Sequence, residues 1–163
     1  MPDPRDIVVN TGPLISLAAA GHLGLLRSLF RRIVVPAEVE EEIAAGGSAQ
    51  FACAEFNAAT WLDRRKSPAV LPPYLLTTLD RGEASVIALA LAEKIPTVCI
   101  DETVGRRVAR LHGLAVTGSI GILIQARQQG LPVSVRNSVA RMRQHGIWLS
   151  PALEAEAQRL AGE

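Results

Sequence analysis

Residues 7–14 have the sequence Ile7-Val8-Val9-Asn10-Thr11-Gly12-Pro13-Leu14, a short β-branched run that ends in a polar turn. The run predicts a buried strand, because the strands of a parallel sheet are apolar on both faces. Pro13 predicts a helix that begins at that residue, where a backbone donor is not needed. Asn10 therefore follows the carboxyl end of the strand, which is where open α/β sheets collect ligands.

The same alternation of strand, turn and helix continues along the chain. Further strands are predicted at residues 33–35, 61–62, 97–100, 114–117 and 147–149, and residues 74–79 are predicted to be helical. Strands that alternate with helices predict an α/β fold: a three-layer α/β/α sandwich around a central, mainly parallel sheet. The chain shows no internal repeat and no linker, so we expect a single domain over residues 1–163.

Composition limits the class of protein. The 163 residues are 48% hydrophobic, which is enough for a core and argues against disorder. Cys53 and Cys99 show no disulfide framework, and Cys99 is predicted to pack within a strand. No secretory signal or membrane-spanning run is visible, so we expect no membrane association and a cytoplasmic location. The net charge of +1 gives no general argument for nucleic-acid binding, which must rest on local clusters.

Three acidic residues occupy positions from which they could join Asn10. Glu42 borders the apolar face of a predicted helix, Glu83 lies in the first turn of a later helix, and Asp101 follows the strand at 97–100. Each position has an ordinary structural interpretation as well. Glu42 could belong to a solvated acidic face, while Glu83 and Asp101 could cap helices.

Considered together, these residues suggest a site for a hard cation. Oxygen ligands that converge from separate elements suit Mg²⁺ or Mn²⁺. The three histidines and two cysteines lack the spacing of a zinc site, and His22, His112 and His145 lie near predicted helix ends.

Four segments of the chain resemble the motifs of PIN-domain proteins, in the same order. They are the segments at residues 8–17, 34–43, 79–90 and 100–109, and residues 116–123 continue the pattern. The closest resemblance is to the prokaryotic branch related to VapC-type toxins. It implies a PIN-like sandwich and a ribonuclease dependent on Mg²⁺ or Mn²⁺. The catalytic and metal-binding residues that it implies are Asn10, Glu42, Glu83 and Asp101.

The resemblance has further implications, and the chain departs from the family pattern at one site residue. It implies the toxin of a type II toxin–antitoxin pair, a homodimer that a small antitoxin protein neutralises and that has RNA as its substrate. The family pattern usually has Asp where this chain has Asn10. An amide offers a metal a carbonyl oxygen but no negative charge, so we expect one usable metal site and a weak or absent second site.

Basic and hydroxyl side chains near the acids could contact the RNA. The candidate nucleic-acid-binding residues are Thr11, Arg106, Arg107, Arg110 and Ser119. Arg106 and Arg110 are expected to share a helix face, and Thr11 could equally be a turn or cap residue. Two other basic clusters, at residues 64–66 and 136–143, could equally be solvated surface. The few aromatic residues give little basis for a platform on which bases stack.

Two other functions remain open. A non-catalytic PIN-like module that binds RNA or a protein partner is favoured by the amide of Asn10, and the three acids argue against complete loss of activity. A small-molecule α/β protein that binds phosphate at a helix start ranks lower. The chain lacks both the GxGxxG and the GxxxxGK[ST] patterns of such proteins.

Overall fold

One parallel sheet forms the centre of the molecule. The computed structural model describes residues 3–47 and 50–163. The strands are β1 (Asp6–Val9), β2 (Arg32–Val35), β3 (Asp63–Arg64), β4 (Thr97–Cys99) and β5 (Ala115–Thr117). Their order is β3-β2-β1-β4-β5, and each neighbouring pair is parallel. The predicted α/β/α sandwich is confirmed, and its sheet is parallel throughout.

Strand β1 lies in the middle of this sheet. Ile7 aligns with Ile33 of β2 on one side and with Thr97 of β4 on the other. Val8 and Val9 are fully buried, which explains the uninterrupted β-branched run. The chain moves from β1 outward to β3 and then returns to the other side of β1 through β4 and β5. The carboxyl end of β1 is therefore the switch point, where open α/β sheets bind ligands.

Helices cover the sheet. They are α1 (Thr11–Ala19), α2 (Leu25–Leu29), α3 (Ala37–Ala45), α4 (Phe51–Ala58), α5 (Arg81–Glu93), α6 (Thr103–Leu111), α7 (Ser119–Gln128), α8 (Val135–Gln144) and α9 (Pro151–Ala161). Helix α1 packs against α4, α7 and α8, while α5 packs against α3, α6 and the strands β1 and β4. Within residues 3–47 and 50–163, every helix is too short or too polar to cross a membrane.

The first helix begins earlier than its proline predicts. Helix α1 starts at Thr11, so Pro13 occupies its third position rather than its first. The first four N–H groups of an α-helix have no acceptor within the helix, so proline fits anywhere in that turn. This shift makes Asn10 the residue that immediately precedes the helix.

Three other predicted elements differ from the structure in position or type. The strand predicted at 61–62 lies instead at Asp63–Arg64, because the N–H of Leu62 closes a turn onto Ala59. The helix predicted at 74–79 is a short 3-10 helix, Pro73–Thr77. Residues 147–149 do not join the described sheet, although their apolar side chains suggest a strand. The Ile147 N–H donates instead to the carbonyl of Met142.

Candidate functional site

Asn10 holds a free oxygen at the switch point. It has the extended backbone of a helix N-cap (φ −83°, ψ 168°), yet its side chain makes no capping bond to α1. The residue is 6% exposed, and its Oδ1 has no hydrogen-bond partner in the described part of the chain. A buried acceptor without a partner costs about 1–3 kcal/mol. The amide oxygen that the sequence assigned to a metal is therefore available for a ligand.

Glu42 reaches the site from α3. Its Oε2 accepts a hydrogen bond of 2.9 Å from Thr11 Oγ1, at the start of α1. Its Oε1 lies so close to Gly82 that a Cβ there would be only 2.0 Å away. Glu42 is exposed as a whole residue, but partial desolvation of its carboxyl by the neighbouring helices raises its pKa, the bond from Thr11 lowers it, and the charge of Asp80 raises it. The carboxylate of Glu42 therefore links the first turns of α1 and α5.

Glu83 is buried in the first turn of α5, but it does not cap that helix. The cap is Asp80, whose Oδ1 accepts a 2.8 Å bond from the Glu83 N–H. Glu83 is only 7% exposed. Burial and then the Asp80 charge raise the pKa of Glu83 to about 6, and the charges of Glu102 and Glu42 also contribute. Three carboxyl groups, from Glu42, Asp80 and Glu83, thus share the N-terminal end of α5.

Asp101 caps a helix, although not the one that follows it. Its Oδ1 accepts a 2.8 Å bond from the Ser119 N–H, and its Oδ2 accepts a 2.9 Å bond from the Ser119 hydroxyl. It therefore holds the start of α7, while Glu102 precedes α6 without a side-chain bond. The residue as a whole is exposed, but both of its carboxyl oxygens bind Ser119, and the carboxyl lies close to Gly118. Desolvation of this carboxyl raises the pKa of Asp101, while the hydrogen bonds from Ser119 and the charge of Arg106 lower it.

Glycines allow the acids to approach the backbone at this edge of the sheet. A Cβ on Gly118 would lie 2.5 Å from Asp101 Oδ1, so a side chain there would displace the carboxylate. A Cβ on Gly12 would lie 3.9 Å from Asp101 Oδ2, and one on Gly105 would lie 3.6 Å from the carboxyl carbon of Glu83. The chain beside Asn10 thus borders Asp101, and α6 borders Glu83.

The structure brings these residues to one end of the sheet in two groups. Glu42 and Glu83 lie together with Asp80, whereas Asp101 faces Ser119 and Arg106. Over residues 3–47 and 50–163, no three His, Cys, Asp or Glu side chains are placed to hold one metal ion. The donor chemistry nevertheless fits Mg²⁺, which usually binds one or two carboxylates and keeps several waters. The unpaired oxygen of Asn10 supplies a further neutral donor.

The candidate RNA-binding residues fall into three groups. The hydroxyls of Thr11 and Ser119 donate to the carboxylates of Glu42 and Asp101, so they position acids in this structure. Arg106 turns inward, and its Nη1 donates a 2.9 Å bond to the carbonyl of Ile100. The other two candidates, Arg107 and Arg110, are exposed. Arg106 and Arg110 lie four positions apart on α6, as a shared helix face requires, but the Arg106 guanidinium is bound at the edge of the site while Arg110 is exposed.

The basic cluster at 64–66 is largely structural. The Arg64 Nη1 atom lies 3.1 Å from Glu40, and its guanidinium lies 4.0 Å from the centre of the Phe56 ring. Arg65 binds Glu93, with Nη2 2.8 Å from Oε1. These contacts favour the interpretation of Arg64 and Arg65 as structural surface residues rather than as RNA-binding residues.

Sequence reasoning did not identify Asp80 as a neighbour of the acids. The spacing Asp80-Arg81-Gly82-Glu83 is that of a helix cap with an acid at its third position, and it could have indicated this contact. The proximity of Gly82 to Glu42 had no local signal, because it depends on how α3 and α5 pack.

Comparison with known proteins identifies the family. A family model described as a PIN domain matches residues 6–163, a region that contains all five strands and the four candidate site residues. No curated protein and no solved structure gives a significant match. The chain belongs to the PIN-domain family, whose members are in general metal-dependent nucleases.

Proposed function

We propose that this protein is an endoribonuclease that depends on Mg²⁺ or Mn²⁺. The observation that carries the proposal is the buried, unpartnered Oδ1 of Asn10 at the switch point of the sheet. Thr11, the next residue, binds Glu42, and Gly12 borders Asp101. A free oxygen donor beside carboxylates from separate elements is the arrangement that a hard cation requires.

Asn10, Glu42, Glu83 and Asp101 are the residues that we propose hold the metal. When bound, a divalent ion activates water and stabilises the leaving oxygen of a phosphodiester. The chain's own contribution is orientation. Thr11 fixes the carboxylate of Glu42, and the N–H and hydroxyl of Ser119 fix that of Asp101.

We expect this site to bind one metal ion tightly. Asn10 contributes no charge, and loss of one negative charge near a divalent ion costs on the order of several kcal/mol. Calorimetric titration with Mn²⁺ should therefore give a stoichiometry close to one. Two tight sites would contradict the proposed role of the amide.

The proposed RNA contacts are Thr11, Arg106, Arg107, Arg110 and Ser119. The exposed Arg107 and Arg110 can neutralise phosphates, so RNA affinity should fall steeply as salt is raised. Thr11 and Ser119 would reach a phosphate by sharing the hydroxyls that now bind Glu42 and Asp101.

Incubation of the purified protein with RNA tests the ribonuclease proposal. Cleavage in Mn²⁺ or Mg²⁺ that stops in EDTA supports it. Binding of RNA without cleavage in either metal supports the alternative, a catalytically weakened PIN-like module that binds RNA or a protein partner. Two observations favour that alternative: the amide at Asn10, and the lack of a three-acid metal group among the described residues.

We further propose that the protein is the toxin of a type II toxin–antitoxin pair, acts in the cytoplasm as a homodimer, and is neutralised by a small antitoxin. This proposal rests on the sequence resemblance and on membership of the PIN-domain family. Expression alone should arrest growth, and Glu83→Gln should relieve the arrest. A short reading frame beside the gene should encode a protein that restores growth when it is co-expressed.

A further inference from the structure

A cavity of about 530 Å³ opens directly beside Asp101. Asp101 and Ser119 line it, together with residues 147–150 of the connection between α8 and α9. Its volume is within the range of sites that hold small molecules, roughly 300–1,000 Å³. The cavity is therefore continuous with the proposed active site and large enough for one part of a substrate.

Trp148 is the conspicuous residue at this cavity. It is 79% exposed, although large aromatic side chains are usually well buried. Its backbone is held on both sides: the Ile147 N–H donates to Met142, and Arg143 Nη2 donates a 3.1 Å bond to the carbonyl of Leu149. The indole is thus presented to solvent by an anchored segment. The other tryptophan, Trp61, is partly buried, with the guanidinium of Arg27 above its ring.

The remaining lining indicates what could bind there. Ile15, Ile120 and Leu153 supply apolar surface, Ser16, Thr103 and Ser150 supply hydroxyls, and Glu102 adds a carboxylate. An aromatic ring with apolar surroundings suits the face of a nucleobase, and hydroxyls suit its hydrogen-bonding edge. A peptide side chain would also fit apolar surface. Continuity with the acids favours a nucleotide, because its base and its phosphate would then occupy adjoining parts of one site.

We propose that this cavity binds an unpaired base of single-stranded RNA, stacked on Trp148, beside the phosphate that the acidic site cleaves. The inference rests on the proposed ribonuclease function, but it concerns binding and can be tested without cleavage. Trp148 is a positioning residue in this account. Duplex RNA should bind more weakly, because its bases are paired and stacked on one another.

The test measures binding in EDTA by the Trp61→Phe variant, in which Trp148 is the single tryptophan. Three probes of equal length are titrated: single-stranded oligoadenylate, an abasic ribose-phosphate oligomer, and duplex RNA. Oligoadenylate should quench Trp148 fluorescence, and the abasic oligomer should not. In the wild-type background, Trp148→Ala should weaken oligoadenylate binding by at least about fivefold. Trp148→Phe should largely retain it, and Leu111→Ala, at an exposed residue outside the cavity, should leave it unchanged.

Salt dependence provides a second readout. Phosphate contacts weaken with salt, whereas stacking releases few counterions. The preference for oligoadenylate over the abasic oligomer should therefore persist as salt is raised. In Trp148→Ala the two oligomers should bind with nearly equal affinity.

Several outcomes would overturn the proposal. They are equal binding of base-bearing and abasic oligomers, no binding of any oligomer, and an unchanged affinity in Trp148→Ala. Sedimentation that shows Trp148→Ala converting a dimer to a monomer, without a change in RNA affinity, would assign the surface to a second copy of the chain. Base-dependent binding without cleavage in Mn²⁺ would leave this subsite intact and refute only the nuclease function.

Discussion

Asn10 occupies the N-cap position of α1 without serving as a cap. Asparagine is favoured at such positions because its side chain usually accepts a helix N–H. Here the oxygen is buried and unpartnered in the described part of the protein, at the switch point of the sheet. The side chain thus makes no capping bond, and the free-energy cost of leaving its buried oxygen unpartnered is consistent with a role in ligand binding.

Asn10→Asp tests that role. The substitution adds a negative charge beside the acids, so it should raise Mn²⁺ affinity at least about tenfold and increase metal-dependent RNA cleavage. Calorimetry and a cleavage assay measure the two effects. Asn137→Asp, which adds the same charge at an exposed position of α8, is the control and should change neither. Unchanged metal affinity in Asn10→Asp would remove Asn10 from the site.

The pKa of Glu83 predicts a pH dependence of stability in the metal-free protein. Because the folded-state pKa is raised from 4.5 to about 6, the folded protein holds the proton more tightly than the unfolded chain. The resulting stabilisation is complete below pH 4.5 and is lost as the pH rises through about 6. The contribution is at most about 2 kcal/mol.

Chemical unfolding in EDTA at several pH values between 4.5 and 7 should detect this loss. Glu83→Gln should flatten that part of the profile, because its side chain does not titrate. Mn²⁺ should stabilise the wild-type protein more at pH 7 than at pH 5, since the ion binds the ionised form. If the free energy of unfolding of the wild type rises through this pH range and Glu83→Gln leaves the profile unchanged, the pKa of Glu83 is not raised by its buried, acidic surroundings.

The sequence predicted where the candidate residues lie in the fold better than it predicted their contacts. Asn10 and Asp101 were placed correctly because each follows a strongly apolar strand, and strand ends are visible in the hydrophobic pattern. The bonds from Thr11 to Glu42 and from Ser119 to Asp101 join residues 31 and 18 positions apart. Such contacts depend on tertiary packing and leave no local pattern.

At the scale of elements, the N-terminal end of α5 organises half of the site. Asp80 caps this helix and also places its charge beside Glu42 and Glu83. Asp80→Ala should reduce the free energy of unfolding by about 1 kcal/mol through the lost cap, and should also weaken Mn²⁺ binding. Ser134→Ala removes the cap of α8, where the hydroxyl accepts from the Asn137 N–H, and is the matched control.

Thermal unfolding and metal titration of the two cap variants separate the effects. We expect a similar loss of stability in both and a loss of metal affinity in Asp80→Ala alone. If the two variants bind Mn²⁺ equally well, Asp80 serves only as the cap of α5 and does not contribute to metal binding.

The close approach of α3 to α5 gives another prediction. A Cβ on Gly82 would displace the Glu42 carboxylate, which is the far end of a flexible side chain and can move at low cost. Gly82→Ala should therefore change the free energy of unfolding by less than about 1 kcal/mol while weakening Mn²⁺ binding. Gly24→Ala, where nothing lies within 4 Å of the added Cβ, should leave metal binding unchanged. Retained metal affinity in Gly82→Ala would exclude Glu42 as a ligand.

Elements were predictable where apolar runs were long and buried. Strands β1, β2 and β4 coincide with such runs, and each of their ends was predicted to within one residue. Strand β3 was misplaced because its two residues, Asp63 and Arg64, are polar and lie at the edge of the sheet. Residues 147–149 were assigned to a strand because their side chains are apolar, although that surface lines the cavity beside Asp101.

At the scale of the whole molecule, the strand order explains why distant acids meet. The reversal at β1 brings the carboxyl ends of β1 and β4 side by side, so Asn10 and Asp101 flank the switch point. We propose that residues 1–163 form one domain, since the buried apolar residues form one cluster and the family match spans 6–163. Positions 1, 2, 48 and 49 of that range lie outside the described residues.

The rate of RNA cleavage by Glu83→Gln in Mn²⁺, relative to that of the wild type, shows whether Glu83 serves a metal-dependent reaction. Glu41→Gln, an exposed residue on α3, is the control. We expect the wild type and Glu41→Gln to cleave RNA at similar rates, EDTA to stop both, and Glu83→Gln to be slower by more than about tenfold while still folded. Cleavage by Glu83→Gln at the wild-type rate, or cleavage that continues in EDTA, would show that Glu83 does not hold a catalytic metal.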